Sequence, residues 1–538
     1  MSRRRAGVGL PLFSARSSAG WGIGELLDIA PLTAWMEHAG IGELMLLPLG
    51  TIPDNETSPY SATSTLSIDP IYLSLHAVSD LARAGGEAAL SPGGREALAA
   101  ARASRTVDHR AVRRAKSEAL GLAFDVFLKD EWGQLTTAAS SLAAFIARER
   151  WWLDDYALFL AVEQSVAGAS WRDWPAPLRD RDPRALDDAR RQLAREVLRH
   201  QYMQWLADGQ WRSAREAAHA HRVALVGDLP FVANQQSPEV WARADEFLPD
   251  VSAGVPPDAF SATGQDWGLP TYNWQVIRAS GYGWMRQRAR RMAALFDGIR
   301  VDHVIGLYRT YGRPASGQPF FNPPDEATQV AQGTAILGIL RETGVGLIAE
   351  DLGVVPDFVR ASLASQGVPG CKVLRWERDW HSPGAPFIPP GDYPRVSAAL
   401  TGTHDTEPVA AWWREAPQAD RQAIVQLPLF RERGVADPDT PWTDRLRDTF
   451  IELIYRSGSD IVFLPMQDLF GWTDRVNVPA TVGPHNWTWA LPWPVGQIGD
   501  SDEGAERAGF LRWLAASTGR APASDYTSGH APGGAQTE

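Results

Sequence analysis

Cysteine is nearly absent from this chain: Cys371 is the only one in 538 residues. No intramolecular disulfide can form, and a reducing compartment fits. Long apolar runs are missing as well, since no stretch approaches the roughly 20 residues of a membrane span. The basic start, Met1-Ser2-Arg3-Arg4-Arg5, lacks the apolar segment of a signal peptide, because Ala6 to Phe13 is short and interrupted by Gly and Pro. Cationic excess is missing too. The formal net charge is -12, which argues against a nucleic-acid partner and against adhesion to anionic membranes. No internal repeat of fixed period is present. These absences lead to the expectation of a cytoplasmic enzyme.

What is present is an ordinary globular composition, 44% hydrophobic and 22% charged, with ample material for a large core. Eight short apolar runs read as buried parallel strands. They are Val8 to Phe13, Glu43 to Leu49, Arg222 to Phe231, the run ending at Asp302, the run ending at Glu350, Cys371 to Trp376, the run ending at Asp405, and Asp460 to Met466. Helical text fills most of the gaps, so the expected fold is α/β, a (β/α)8 TIM barrel over residues 1–75 and 221–520. Between the second and third strands, residues 76–220 are rich in Ala, Arg, Leu and Glu with helical periodicity, as in Ser140 to Ala161 and Asp187 to Gln204. They read as an inserted helical subdomain walling one side of a cleft. The basic run from Arg102 to Lys116 reads as a solvated helix face. The Ser-, Gly-, Ala- and Pro-rich tail, 521–538, is expected to be disordered.

Three of the eight runs end abruptly in acidic or His residues: Arg300-Val301-Asp302-His303, Ala349-Glu350-Asp351 and Thr401-Gly402-Thr403-His404-Asp405. Chemistry in a parallel barrel sits at the carboxyl ends of the strands. Three carboxylates delivered there suggest cleavage at an acetal carbon, where one attacks and another protonates. Arg300 shares a side of its strand with Asp302 by period-2 alternation, and a neighbouring cation favours the ionised form that a nucleophile needs. Glu350 reaches further than Asp351 and suits a partly desolvated general acid, while Asp351 reads as the cap of the following turn. Asp405 is placed to grip sugar hydroxyls, with His303 and His404 as hydrogen-bond donors. Two His among carboxylates also fit a metal site, but no HExxH or comparable spacing is present. Trp is abundant, at 23 residues. Most of these read as packing, some as flat surfaces for sugar rings.

Several motifs resemble those of the 4-α-glucanotransferases, also called amylomaltases or disproportionating enzymes, of glycoside hydrolase family 77. They are Trp21-Gly22-Ile23-Gly24-Glu25, Leu47-Pro48-Leu49-Gly50, Ser58-Pro59-Tyr60, Gly227-Asp228-Leu229-Pro230, and the long loop from Gly254-Val255-Pro256-Pro257-Asp258 through Gln265 to Trp267-Gly268. The resemblance covers about Phe13 to Trp493. It implies Asp302 as nucleophile, Glu350 as acid/base and Asp405 as transition-state stabiliser. It also implies substrate contacts at Tyr60, Asp228, Asp258, Phe260, Gln265, Trp267, Arg300, His303, His404 and Asn477. The implied partners are an α-1,4-glucan donor and a glucan or glucose acceptor, with no metal and no organic cofactor. The chain departs from the family where G-T-H-D-N-D-T becomes Gly402-Thr403-His404-Asp405-Thr406-Glu407-Pro408, where Ala259 replaces an aromatic, and in a longer approach to Tyr60. An α-glucan hydrolase with the same carboxylates, an inactive glycan-binding protein and a metal-dependent barrel enzyme are the competing readings.

Overall fold

The computed structural model describes residues 4–257 and 263–522. Asp258, Phe260 and Ala259 lie outside the described residues, as does 523–538 of the tail expected to be disordered. Twelve strands occur among the described residues: β1 (Arg5–Gly9), β2 (Glu43–Met45), β3 (Ala224–Leu229), β4 (Phe247–Val255), β5 (Gln265–Tyr272), β6 (Gly298–Val301), β7 (Thr310–Pro314), β8 (Phe320–Asn322), β9 (Gly346–Ala349), β10 (Gly370–Val373), β11 (Ser397–Leu400) and β12 (Ile461–Pro465). Eight close into a parallel barrel in the order β1-β12-β11-β10-β9-β6-β3-β2. The expected eight strands are these eight, mostly shorter than their apolar runs. The first begins earlier and ends at Gly9, because Leu12–Ser14 turns into a short 3-10 helix at the mouth. Cys371 to Trp376 likewise divides into β10 and a 3-10 turn at Leu374–Trp376.

The barrel interior follows the two-residue period of a strand. Val226, Ile348, Cys371, Val373, Ala398, Leu400, Ile461 and Phe463 form one apolar cluster inside it. Gly7 lies against the Phe463 ring, where an added Cβ would sit 2.2 Å from a ring carbon. Alternate residues, such as Leu225, Ile299 and Leu347, face outward into the larger core beneath the helices. The β9–β10 seam is the weakest, with one aligned pair, Gly370 and Ala349. There the Asp351 carboxylate accepts the Cys371 backbone N–H at 2.7 Å. Asp351 therefore completes the barrel ladder instead of capping the next turn, since the following helix starts after Pro356.

The second sheet, β5-β4-β7-β8, is antiparallel. The sequence reading places a long loop from Gly254 to Gly268, whose Gly and Pro residues allow an irregular excursion, and assigns no strand at β4 or β5. Register shifts within the β4–β5 pairing accommodate those residues. The sheet is tied to the barrel mouth where the Tyr272 hydroxyl donates to the Phe231 carbonyl just beyond β3, at 2.9 Å.

Between β2 and β3 the chain is helical, with long helices at His109–Asp130, Thr137–Ser165 and Ala194–Ala220. Thr136 and Asp108 cap the first two through their side chains. The basic run is only partly a solvated face. Arg110 and Arg114 are exposed, but Lys116 is 1% exposed, and its ammonium meets Glu25 Oε1 at 2.6 Å and the Ile71 and Leu73 carbonyls at 2.7 Å each. Glu25 is 0% exposed and also accepts the Trp21 N–H at 3.1 Å. The Trp21–Glu25 motif is thus an anchor between the barrel's first loop and the helical layer. Most Trp side chains are packing, among them the fully buried Trp21, Trp211, Trp241, Trp274 and Trp413. Among the described residues no helix is long and apolar enough to cross a membrane.

Removing one partner of a buried ion pair leaves an uncompensated charge. Lys116→Met is expected to cost about 3–5 kcal/mol, read as a fall in the urea midpoint. Replacing Arg191, which pairs with Asp188 in the open, should change it by no more than about 1 kcal/mol. Equal midpoints for the two variants would remove Lys116 as an anchor.

Candidate active site

The barrel register aligns the functional side chains. Asp228 in β3 is paired with Arg300 in β6, and Arg300 with Ile348 in β9. One residue beyond the ends of β6 and β9, the Glu350 N–H donates to the Val301 carbonyl at 3.0 Å, and the Asp302 N–H donates to Leu229 at 3.2 Å. Asp302 and Glu350 therefore leave neighbouring strands at matching heights.

Arg300 projects into the barrel and bridges two carboxylates through one nitrogen. Its Nη1 is 2.5 Å from Asp228 Oδ2 and 3.0 Å from Asp302 Oδ1. Burial disfavours its charge, but Asp228, Tyr60 and Asp302 hold the guanidinium well above its ordinary value. Asp228, 2% exposed, is raised by burial to about 6 despite Arg300. The Tyr60 hydroxyl donates to Asp228 Oδ2 at 2.7 Å and lies 3.1 Å from His404 Nε2. His404 Nε2 is in turn 3.3 Å from Asp405 Oδ2. A polar chain thus runs from Asp302 through Arg300, Asp228, Tyr60 and His404 to Asp405.

Glu350 and Asp405 have opposite environments. Glu350 is raised to about 8 by burial, which outweighs Arg300, and by the nearby Asp302 charge. Its Oε2 accepts the His303 backbone N–H at 2.7 Å. His303 itself adopts φ 44°, a left-handed conformation that costs energy in a non-glycine residue. Burial lowers the His303 ring to about 4, so it is neutral at neutral pH. For Asp405, burial alone would raise the carboxyl, but His404, Asn477 and Arg300 outweigh it and bring it to about 2. Its side chain remains 43% exposed to the cleft. The Asn477 amide donates to Asp405 Oδ1 at 2.6 Å.

The expected residues are thus largely brought together. Trp267 stands edge-on to His303, with ring centroids 4.8 Å apart, and Gln265 accepts the Trp267 indole N–H at 3.2 Å. Asp258 and Phe260 lie outside the described residues. Sequence reading missed Trp487, which packs against Tyr60 and His404 at 5.8 Å from each. It also missed Phe231 beneath His303 and Trp267. Neither carries a charge, and Phe231, although it closes the third apolar run, reads there as one more core residue beyond the end of β3. Arg475 was missed as well, although its guanidinium reaches the Asp405 carbonyl.

A closed barrel bearing a raised carboxyl, a second carboxylate against a buried guanidinium and a third, acidified one is the equipment of an enzyme that breaks and makes acetal bonds. Comparisons with known proteins agree. A family model described as 4-alpha-glucanotransferase matches residues 10–494. The 4-alpha-glucanotransferase of Thermus thermophilus is 32% identical over 505 residues, covering 90% of this chain and 94% of that protein. That of Chlamydia pneumoniae is 30% identical, covering 90% and 91%. The amylomaltase of Streptococcus agalactiae, solved in complex with acarbose, shares the fold with a TM-score of 0.80 at 24% identity, covering 96% of this chain and all of that one. The chain belongs to the 4-α-glucanotransferase family, glycoside hydrolase family 77, and is an enzyme with 4-α-glucanotransferase activity.

The raised Glu350 carboxyl also links folding to pH. The folded state keeps this proton up to about pH 8, whereas the ordinary value is 4.5, so the folded form binds more protons between them. Its contribution to stability is present below about 4.5 and is lost as pH rises towards 8. Glu350→Gln should therefore gain stability relative to the parent across that window, measured as the difference in urea midpoint. A difference that does not change with pH would contradict the raised carboxyl.

Proposed function

We propose that the enzyme works by retaining double displacement. Asp302 attacks the anomeric carbon of an α-1,4-glucan while Glu350 donates its proton to the departing glycosidic oxygen. The C–O bond to the leaving segment breaks and an ester to Asp302 forms, with inverted configuration. Glu350, now a carboxylate, takes the proton from the 4-hydroxyl of a second glucan or of glucose, whose oxygen displaces Asp302. Two inversions restore the configuration. The observation that carries this reading is the contrast on adjacent strands: Glu350 raised to about 8 and able to donate a proton at neutral pH, and Asp302 on the Arg300 guanidinium at 3.0 Å.

Asp405, ionised and open to the cleft, faces the positive charge that grows on the sugar ring in the transition state. Tyr60, Asp228, Arg300, His303, His404, Asn477, Gln265 and Trp267 form the glucan contacts, with Asp258 and Phe260 assigned to the same role from sequence. The acarbose complex of the Streptococcus protein supports a glucan-shaped cleft. Residues 76–220 wall that cleft, a reading supported by the Tyr156 hydroxyl, 3.1 Å from Thr51 Oγ1 at the base of the loop carrying Tyr60. Neither chemical step requires a metal or an organic cofactor. The single cysteine and the acidic balance support a cytoplasmic location.

Transfer must outrun hydrolysis in water at about 55 M. A bound, oriented hydroxyl reaches an effective molarity of roughly 10⁵ M or more, provided the site also excludes water. The test is incubation with maltotriose and separation of products by chain length. Glucose with a ladder longer than maltotriose is expected; glucose and maltose alone would mean that water is the acceptor. Asp302→Asn should lower turnover by more than about 10³-fold with the fold and glucan binding intact, and substantial residual activity would overturn the nucleophile assignment.

A further inference from the structure

The departure Thr406-Glu407 after Asp405 has a structural counterpart. Glu407 is held between two arginines from other loops. Its Oε1 is 2.7 Å from Arg375 Nη1, and its carbonyl accepts Arg375 Nη2 at 2.8 Å. Its Oε2 accepts Arg475 Nη1 at 3.4 Å. Arg375 follows β10 and lies over the Trp412 ring at 5.5 Å, while Arg475 follows the short helix Met466–Phe470 beyond β12. All three edges of the Arg475 guanidinium are then used. Nη2 donates to the Asp405 carbonyl at 2.9 Å, and Nε donates to the Asn477 carbonyl at 3.2 Å. These are the two residues whose side chains meet at 2.6 Å. The Asn477 N–H also donates to the His404 carbonyl at 3.2 Å.

We propose that Arg475, oriented by Glu407, is a positioning residue for Asp405. It joins the main chains of two loops so that Asp405 enters the cleft at a set height with Asn477 on one oxygen. The inference rests on the reading of Asp405 given above and adds how that carboxylate is held. The part played is geometric. The Arg475 bonds go to main-chain carbonyls and its charge is offset by Glu407, so a planar fork is required and an ammonium does not replace it. A small displacement of a group that stabilises the transition state lowers turnover while leaving ground-state binding intact.

The experiment measures kcat and KM for maltotriose disproportionation, and acarbose affinity by calorimetry, in the parent, Arg475→Met, Arg475→Lys, Glu407→Gln, Asp405→Asn and the Asp405→Asn/Arg475→Met pair. Both Arg475 variants are expected to lose roughly 10–100-fold in kcat with KM within about twofold. Glu407→Gln, which leaves both arginines in place, should lose kcat in the same direction by about threefold or more. Because Arg475 acts through Asp405, adding Arg475→Met to Asp405→Asn should not weaken acarbose binding further. Unchanged kcat in the Arg475 variants, a loss confined to KM, full rescue by Lys, or additive losses in the double variant would each overturn the proposal. If Arg475→Met does not fold, unchanged kcat in Glu407→Gln overturns it. Near-parental turnover in Asp405→Asn would instead overturn the assignment of Asp405 itself.

Discussion

The cleft depends on one buried cation. Arg300 sits inside the barrel at the height where β3 and β6 are paired, and its guanidinium lies against both Asp228 and Asp302. A guanidinium cannot shed its proton in a protein, so burying it requires carboxylates close by. Those carboxylates occupy defined places: Asp228 fully inside, Asp302 one step above the strand. Asp228 in turn receives the Tyr60 hydroxyl, which ties the loop following β2 over the mouth. The position of the Tyr60 loop therefore follows from satisfying one buried charge.

The same residue type performs different tasks here because its surroundings differ. Glu350 lies just past the end of β9 and Asp405 in the loop after β11, the first partly buried and the second open to the cleft. Glu350 gains one backbone N–H and the nearby charge of Asp302, so the neutral acid wins. Asp405 gains an imidazole and an amide, so the carboxylate wins. Unlike surroundings thus let one carboxyl hold a proton while another stays charged in the same cleft. The strained, left-handed backbone occurs at His303, the residue whose N–H binds Glu350. Around the mouth, the antiparallel sheet carries Trp267 against His303, and Trp487 packs on Tyr60 and His404. Large rings on both sides narrow the space open to water, which suits transfer between sugars.

Much of this was legible in the linear chain. The eight barrel strands, the three carboxylates at their ends and the pairing of Arg300 with Asp302 follow from apolar runs and two-residue alternation, which are local properties. Local properties also misled. Pro and Gly in β4 and β5 hid the second sheet, because an antiparallel partner can accommodate bulges that the run itself does not reveal. Asp351 has the pattern of a turn cap and instead closes the weakest barrel seam. Lys116 reads as part of a solvated helix face and is instead buried against Glu25, because burial is decided by what the helical layer covers.

The sequence by itself determined the barrel, the order of its strands and the acids at their carboxyl ends, since strand formation and side-chain alternation depend on neighbouring residues. Tertiary structure alone decided which acid holds its proton, how Asp405 is braced by Arg475 and Asn477, and which aromatics frame the cleft. Those properties arise from groups far apart along the chain, 47 residues for Glu350 and His303 and 72 for Asn477 and Asp405, brought within hydrogen-bond distance. Charge, dielectric and hydrogen bonding act through space, and only the folded chain sets those distances.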